Sequence, residues 1–306
     1  MAQRMTKPGA ERRGFVQDRI ETYNCDSTAA EGVNLLDFLF ASMPDRKRTP
    51  VKNMLRYGQV RVNGTPATQF DFRLNPGDTV EVNVTRPFQV FSHRRLKIVF
   101  EDDDILIVEK GYGLLSMGTG KSGEETAYSL LRDYLKRKNP ANKIFIVHRL
   151  DRDTSGIMMF AKTQEAKEKM QHNWNNMVLN RKYLALVEGR VKETEGVIKS
   201  YLVENSRMEV YSTDDPNAGG QLAVTRYKVL ADRGGYTLLE VELDTGRKNQ
   251  IRVHMKDMGH PIAGDRKYGA RTSPLHRLAL HAATLRFIHP VTRREMNFVS
   301  NIKFKI

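Results

Sequence analysis

Apolar positions along this chain recur with two periods, and each change of period marks a new element. Residues 1–31 are polar and basic, carry Pro8, Gly9 and Gly14 and hold no period, so they read as a disordered tail with order beginning near Gly32. Leu35, Leu36, Phe38, Leu39 and Phe40 suit a helix. After a Pro44-Asp45 break, Val51, Met54 and Leu55 fall at i, i+3 and i+4 and predict a second, amphipathic helix that Gly58 stops. Val60 and Val62 then alternate into an Asn63-Gly64 turn, a hairpin signal, and Val80, Val82 and Val84 alternate after the turn Pro76-Gly77-Asp78.

Residues 87–96, with Pro87 and the basic pair Arg94-Arg95, read as a linker, and a larger domain spans 97–306. Ile105 to Val108 and Ile144 to Val147 are short apolar runs of buried strands, and Ile157 to Ala161 is a third. Helices are expected where Leu130, Leu131, Tyr134 and Leu135 share a face, over about 164–176, and after Gly246. Strands are expected at 183–187 and near 197–203, 222–230, 236–243, 278–288 and 295–300. Mostly antiparallel strands with few helices predict an α+β fold: a mixed β-sheet domain preceded by a small α/β domain over 32–86.

Charge sharpens this picture. The 306 residues carry 50 Lys and Arg against 36 Asp and Glu, a net +14, which favours a polyanionic partner. Arg46, Lys47, Arg48, Lys52 and Arg56 cluster at the start and exposed side of the second helix, with Arg61 on the following strand. A solvated helix face is the commoner explanation of such a run, and phosphate contacts are the functional one. Cys25 is the only cysteine, so no intrachain disulfide or cysteine-held zinc is expected. No histidine pair has the spacing of a helical zinc site, and the run Glu101-Asp102-Asp103-Asp104 reads as a solvated turn rather than a calcium loop. The first fifteen residues lack the apolar core of a secretory signal, and no apolar stretch nears the roughly 18 residues that cross a bilayer. A cytoplasmic location is expected by elimination.

The densest chemistry lies in His148-Arg149-Leu150-Asp151-Arg152-Asp153-Thr154-Ser155-Gly156, directly after an apolar strand. A lone Asp before Thr-Ser-Gly is usually a turn cap. Asp151 among arginines at a strand end also fits an ionised nucleophile or electrostatic anchor.

That run is similar, position for position, to the catalytic motif of the RluA-type pseudouridine synthases. Two further stretches carry the same resemblance: Arg181 to Gly189, and Thr245 to His254 followed by Gly259 to Asp265 and Lys267-Tyr268-Gly269. Asn249 stands where the family commonly has histidine, and Lys110-Gly111-Tyr112-Gly113 lacks the family's proline after lysine. Residues 57–64 resemble the turn of the small RNA-binding domain of the ribosomal protein S-four type, although Thr49-Pro50 replace its usual Ser-Arg pair.

The resemblance implies isomerisation of uridine to pseudouridine in RNA, most readily large-subunit ribosomal RNA. The target base must leave its stack first. Asp151 is then the essential carboxylate, attacking ring or sugar or removing a sugar proton. Tyr183 stacks on the base and serves proton removal, and Arg247 pairs with Asp151. Arg149 enters the vacated stack, and Arg152, Lys182 and Arg252 are RNA contacts. His148, His254, His260 and His281 are structural or touch RNA. The reaction involves no redox change and transfers no group to another molecule, so neither cofactor nor metal is expected.

Three other readings remain. Transfer RNA is a possible substrate, and so is a non-catalytic ribosome-associated role through the small domain. The pair Asp151-x-Asp153 also fits a haloacid-dehalogenase-type phosphatase, which would require magnesium. Against that, Ser155 stands four residues after Asp151 where threonine is expected, and His148-Arg149 interrupt the apolar lead-in.

Overall fold

The computed structural model describes residues 18–25, 32–88, 90–118, 120, 123–302 and 304. They separate into two compact units, dividing between Val90 and Phe91.

In the first unit, helices Leu35–Ser42 and Arg48–Arg56 accompany an antiparallel sheet ordered Ile20–Asn24, Thr79–Asn83, Val60–Val62, Thr65–Pro66. The i, i+4 pairs Leu35/Leu39 and Val51/Leu55 pack against the alternating Val60/Val62 and Val80/Val82, and all eight side chains are buried. Each such burial stabilises by about 1.5–3 kcal/mol relative to an exposed side chain, which is how periodicity in sequence becomes a core. The Asn63-Gly64 turn has both residues in the left-handed region, φ 49° and 76°, as a tight hairpin requires.

Ile20–Asn24, read as part of the tail, is an edge strand paired along its length with Thr79–Asn83, and Arg46 holds its Glu21 at 2.9 Å. Its alternation is too short and too polar to stand out, so long-range pairing decides it. The rest of the expected tail, residues 1–17 and 26–31, lies outside the described residues.

The second unit is built on an eleven-stranded sheet. Nine strands run in the order Val210–Thr213, Glu195–Glu204, Gln221–Arg233, Tyr236–Leu243, Val178–Glu188, Leu280–Ile288, Ser155–Ala161, Ile105–Lys110, Leu96–Glu101. Glu295–Val299 pairs with Leu280–Ile288, and Phe145–Ile146 with Ser155–Ala161. All neighbours are antiparallel except Ser155–Ala161 against Leu280–Ile288. The strands at Leu96–Glu101 and Val210–Thr213 had no clear sequence signal. The expected strand over 144–147 shrinks to Phe145–Ile146.

The continuous apolar runs have a simple cause: both faces of those strands are covered. Leu106, Val108, Met158 and Phe160 pack on one face with Leu131 and Leu135 of helix Ala127–Lys138. Ile105, Ile107, Ile157 and Met159 pack on the other with Ala166 and Met170 of helix Gln164–His172. The acidic run is also more than a solvated turn. Glu101 is bonded by Tyr134, Lys138 and Lys162, and Asp102 accepts from His289 at 3.0 Å.

Candidate active site

Backbone register brings the motifs together. Gly156, at the start of the central strand, and Tyr183 both lie opposite Ala282, one on each side of the same strand. Tyr183 therefore stands two strands, roughly 10 Å, from the end of the Asp151 loop. The Leu280–Ile288 strand bulges there, skipping Ala283 between its pairings with Lys182 and Tyr183, and such a bulge re-aims nearby side chains. The third wall is helix Gln250–Asp257 with the turn before it.

These walls enclose a cleft of about 430 Å³, lined by Arg149, Asp151, Trp174, Arg181, Tyr183, Arg247 and Arg252 among others. Its size is within the ordinary range for a small-ligand site.

The loop carrying Asp151 is held from behind. Ser116 donates its hydroxyl to the Leu150 carbonyl at 2.7 Å and accepts the Leu150 amide at 3.1 Å. Lys110, wholly buried, donates its ammonium to the carbonyls of Gly111, Leu114 and Arg152 at 3.1, 2.8 and 3.1 Å. Burial pulls the Lys110 pKa down to about 7, while Asp153 and Asp151 resist the fall.

Burial pushes the Asp151 carboxyl above its ordinary range, against the pull of Arg252, Arg149, Lys110 and Lys248. The sequence had pointed to cations as the dominant influence; desolvation outweighs them. The Tyr183 phenol is likewise raised by burial, with Arg181 lowering it and Asp151 raising it further.

The structure redistributes the arginines. Arg247 was expected to pair with Asp151, but among the described residues no ion pair joins them. Arg247 lines the cleft and donates Nε to the Leu222 carbonyl at 3.0 Å. Arg252, expected to touch RNA, lies inside instead. It grips Asp265 with two hydrogen bonds of 2.6 and 2.8 Å, donates to Asn249 at 2.9 Å, and lies 4.8 Å from the Tyr268 ring. Its charge is the largest one opposing the rise of the Asp151 pKa.

Asn249 fits this arrangement. It adopts φ 55° ahead of the helix, a left-handed conformation that asparagine tolerates, and it donates to the Tyr268 hydroxyl at 3.0 Å. Gln250 fixes the preceding turn, accepting from Thr245 at 2.8 Å and from the Arg247 amide at 2.9 Å.

Arg149 is exposed at the cleft. Arg152 points outward and pairs with its neighbour Asp153 at 3.2 Å. Lys182 faces away from the cleft and pairs with Glu240 at 2.7 Å. His148 accepts the Met159 amide at 3.0 Å and packs 5.1 Å from Trp174; burial lowers its pKa to about 3, so it is neutral. His254 and His281 are fully buried, bonded to Ser200 and Ser155, and His260 bonds the Glu188 carbonyl.

Asp265, Trp174 and Arg181 escaped the sequence reading as functional residues. Asp265 lay in a quoted motif, but only the fold brings it against Arg252. For a metal, the described residues offer one three-donor group, Asp102, Asp104 and His289, none of which lines the cleft. There both His289 nitrogens are already engaged, with Asp102 and with the amides of Val291 and Thr292.

A family model described as RNA pseudouridylate synthase matches residues 104–257, the span that holds Asp151, Tyr183 and Arg252. The chain belongs to that family. The synthase is 37% identical over 270 residues to the uncharacterised RNA pseudouridine synthase YlyB of Bacillus subtilis (strain 168), covering 85% of this chain and 88% of the relative. It is 31% identical over 300 residues to ribosomal large subunit pseudouridine synthase C of Vibrio vulnificus, covering 92% of each. Among solved structures it resembles human RNA pseudouridylate synthase domain containing 4 (TM-score 0.56, 24% identity, 67% of this chain and 88% of that one), a likeness of fold. The synthase is thus an RNA-modifying isomerase, and no helix among its described residues is long and apolar enough to cross a membrane.

Proposed function

We propose that the synthase converts specific uridines of large-subunit ribosomal RNA to pseudouridine, with Asp151 as the carboxylate on which turnover depends. The observation that carries this reading is the meeting of Asp151, Tyr183 and Arg252 around one cleft. The bond from nitrogen 1 of the base to the sugar breaks, the base turns, and carbon 5 takes its place. The Asp151 carboxylate starts this by attacking ring or sugar or by removing a sugar proton. The hydrogen on carbon 5 then leaves as a proton, with Tyr183 beside the ring.

Arg252 favours the ionised form of Asp151, and Arg149, exposed at the mouth, fills the gap left in the RNA stack when the base swings out. The small unit grips RNA as a domain of the ribosomal protein S-four type, through Lys47, Arg48, Lys52 and Arg56. A ribosomal substrate is supported by the Vibrio relative, a ribosomal large subunit pseudouridine synthase by name, whose match spans 92% of this chain. On this reading the synthase works in the cytoplasm. Mapping pseudouridine in ribosomal and transfer RNA of cells with and without the protein tests the reading. Loss of a modification in transfer RNA alone would overturn the ribosomal assignment.

A further inference from the structure

Arg181 has no part in the catalytic scheme above, yet its surroundings are those of a binding group. Residues 180 and 182 point to one side of their strand, where Asn180 bonds Glu242 at 2.6 Å and Lys182 bonds Glu240 at 2.7 Å. Arg181 and Tyr183, on the opposite side, both line the cleft. The third acid of that neighbourhood, Asp244, is taken by Arg226, which reaches it at 2.8 Å. Each of these three carboxylates is thus claimed by another partner. Arg181 is left with one hydrogen bond, from Nη2 to the Leu243 carbonyl at 3.3 Å, and with Trp174, whose ring centre lies 5.4 Å from the guanidinium carbon. Burial lowers its pKa, but a guanidinium stays charged in a protein, so a cation stands in the cleft with no ion pair among the described residues.

Space is kept for it as well. A Cβ placed on Gly246 would lie 2.9 Å from Arg181 Nη1, so the turn at Thr245-Gly246 leaves the guanidinium its room. Arg252 makes the contrast, since its fork is filled by Asp265.

We propose that Arg181 is an anion subsite, taking a phosphodiester oxygen of the target nucleotide while that nucleotide occupies the cleft. This rests on the reading of the cleft as the uridine site. A guanidinium fork matches phosphate geometry, and a phosphate would supply the charge the protein withholds. Tyr183, two residues on, would then meet the base of a nucleotide already fixed by its backbone.

The chain has a single tryptophan, Trp174, so its emission reports this corner directly. Uridine 3′,5′-bisphosphate and uridine are titrated into the full chain while that emission is followed. The bisphosphate is expected to bind at least about tenfold more tightly than uridine and to change the emission. Arg181→Met should abolish that preference while leaving the weak uridine binding, and Arg181→Lys should keep part of it. Gly246→Ala, which displaces the guanidinium without removing its charge, should weaken the bisphosphate several-fold and uridine little. Wild-type protein binding both probes alike, or failing to bind the bisphosphate in the millimolar range, overturns the proposal with no variant involved. Full preference retained in Arg181→Met overturns it too. Wild-type turnover, followed separately by tritium release from carbon-5-labelled RNA, tests the reading of the cleft independently of where the phosphate is held.

Discussion

Asp265 holds Arg252 with two hydrogen bonds of 2.6 and 2.8 Å, and Arg252 is in turn the strongest charge acting to keep Asp151 ionised. A carboxylate whose side chain is 1% exposed therefore holds in place the charge that acts on a second carboxylate lining the cleft. Burial raises the Asp151 pKa and Arg252 lowers it, so removing Arg252 must raise it further. Every route proposed for Asp151 uses the ionised form. In Arg252→Met the acid limb of kcat/KM should accordingly move to higher pH. An unmoved limb would show that Arg252 does not act through Asp151. Asp265→Asn should cost about 3–5 kcal/mol of stability, because it leaves a buried guanidinium without its charged partner; a denaturant titration checks this.

Asp151→Asn keeps the shape of the loop and removes its charge. RNA binding should stay within a few-fold of wild type, while release of tritium from carbon-5-labelled uridine should fall by about a thousandfold or more. Substantial tritium release by this variant would remove Asp151 from the mechanism.

Gly156 is a requirement of the fold. Its φ is 125°, and a Cβ there would lie 2.2 Å from the Ala282 carbonyl oxygen and 2.5 Å from the Ala282 nitrogen. Neither backbone atom can yield without breaking the parallel pairing that places the end of the Asp151 loop two strands from Tyr183. Gly156→Ala should fail to accumulate as soluble folded protein, or should melt far below wild type. A stable, active Gly156→Ala chain would contradict the register described.

His281 is fully buried, bonded to Ser155 at 2.8 Å, and its pKa is lowered by burial to about 4. A histidine whose folded pKa lies below its unfolded value leaves stability intact above about pH 6.5 and erodes it as pH falls toward 4. The loss from this group by pH 4 is on the order of 3 kcal/mol. His281→Asn retains an acceptor for Ser155 but cannot charge, so its stability should fall less steeply between pH 6.5 and 4. Unfolding titrations across that range would show parallel slopes if His281 were not responsible.

The basic residues of the first unit divide into two groups. Arg46 and Arg61 are committed to Glu21 and Glu81, Arg61 by two bonds of 2.6 and 2.7 Å, whereas Lys47, Lys52 and Arg56 are exposed with no acidic partner among the described residues. Lys52→Ala and Arg56→Ala should weaken RNA binding and each reduce the salt slope of log K by about 0.7–0.9. Arg61→Ala should lower the melting temperature and leave that slope nearly unchanged. The opposite pattern would assign Arg61, rather than the helix face, to the phosphates.

The sequence by itself determined most of the elements, because alternation and i, i+4 spacing are local consequences of strand and helix geometry. The runs around 105, 157 and 280, the paired helices at 35 and 51, and the Asn63-Gly64 turn all emerged at the expected places. It also pointed to stretches that line the cleft, since the segments around Asp151, Tyr183 and Arg247 are each contiguous in the chain.

Which side chain of each stretch faces the cleft was decided only by tertiary structure. Strand alternation puts Arg181 inside and Lys182 outside, and the helix after Asn249 turns Arg252 inward to Asp265 while Arg247 stays at the rim. These outcomes depend on register and on partners tens of residues away, such as Glu240 for Lys182, or thirteen residues on in a folded loop, as with Asp265. No local pattern encodes them. The same holds for the charge of Asp151, whose neighbours in sequence are arginines but whose burial, a property of the assembled sheet, is the larger force on its proton.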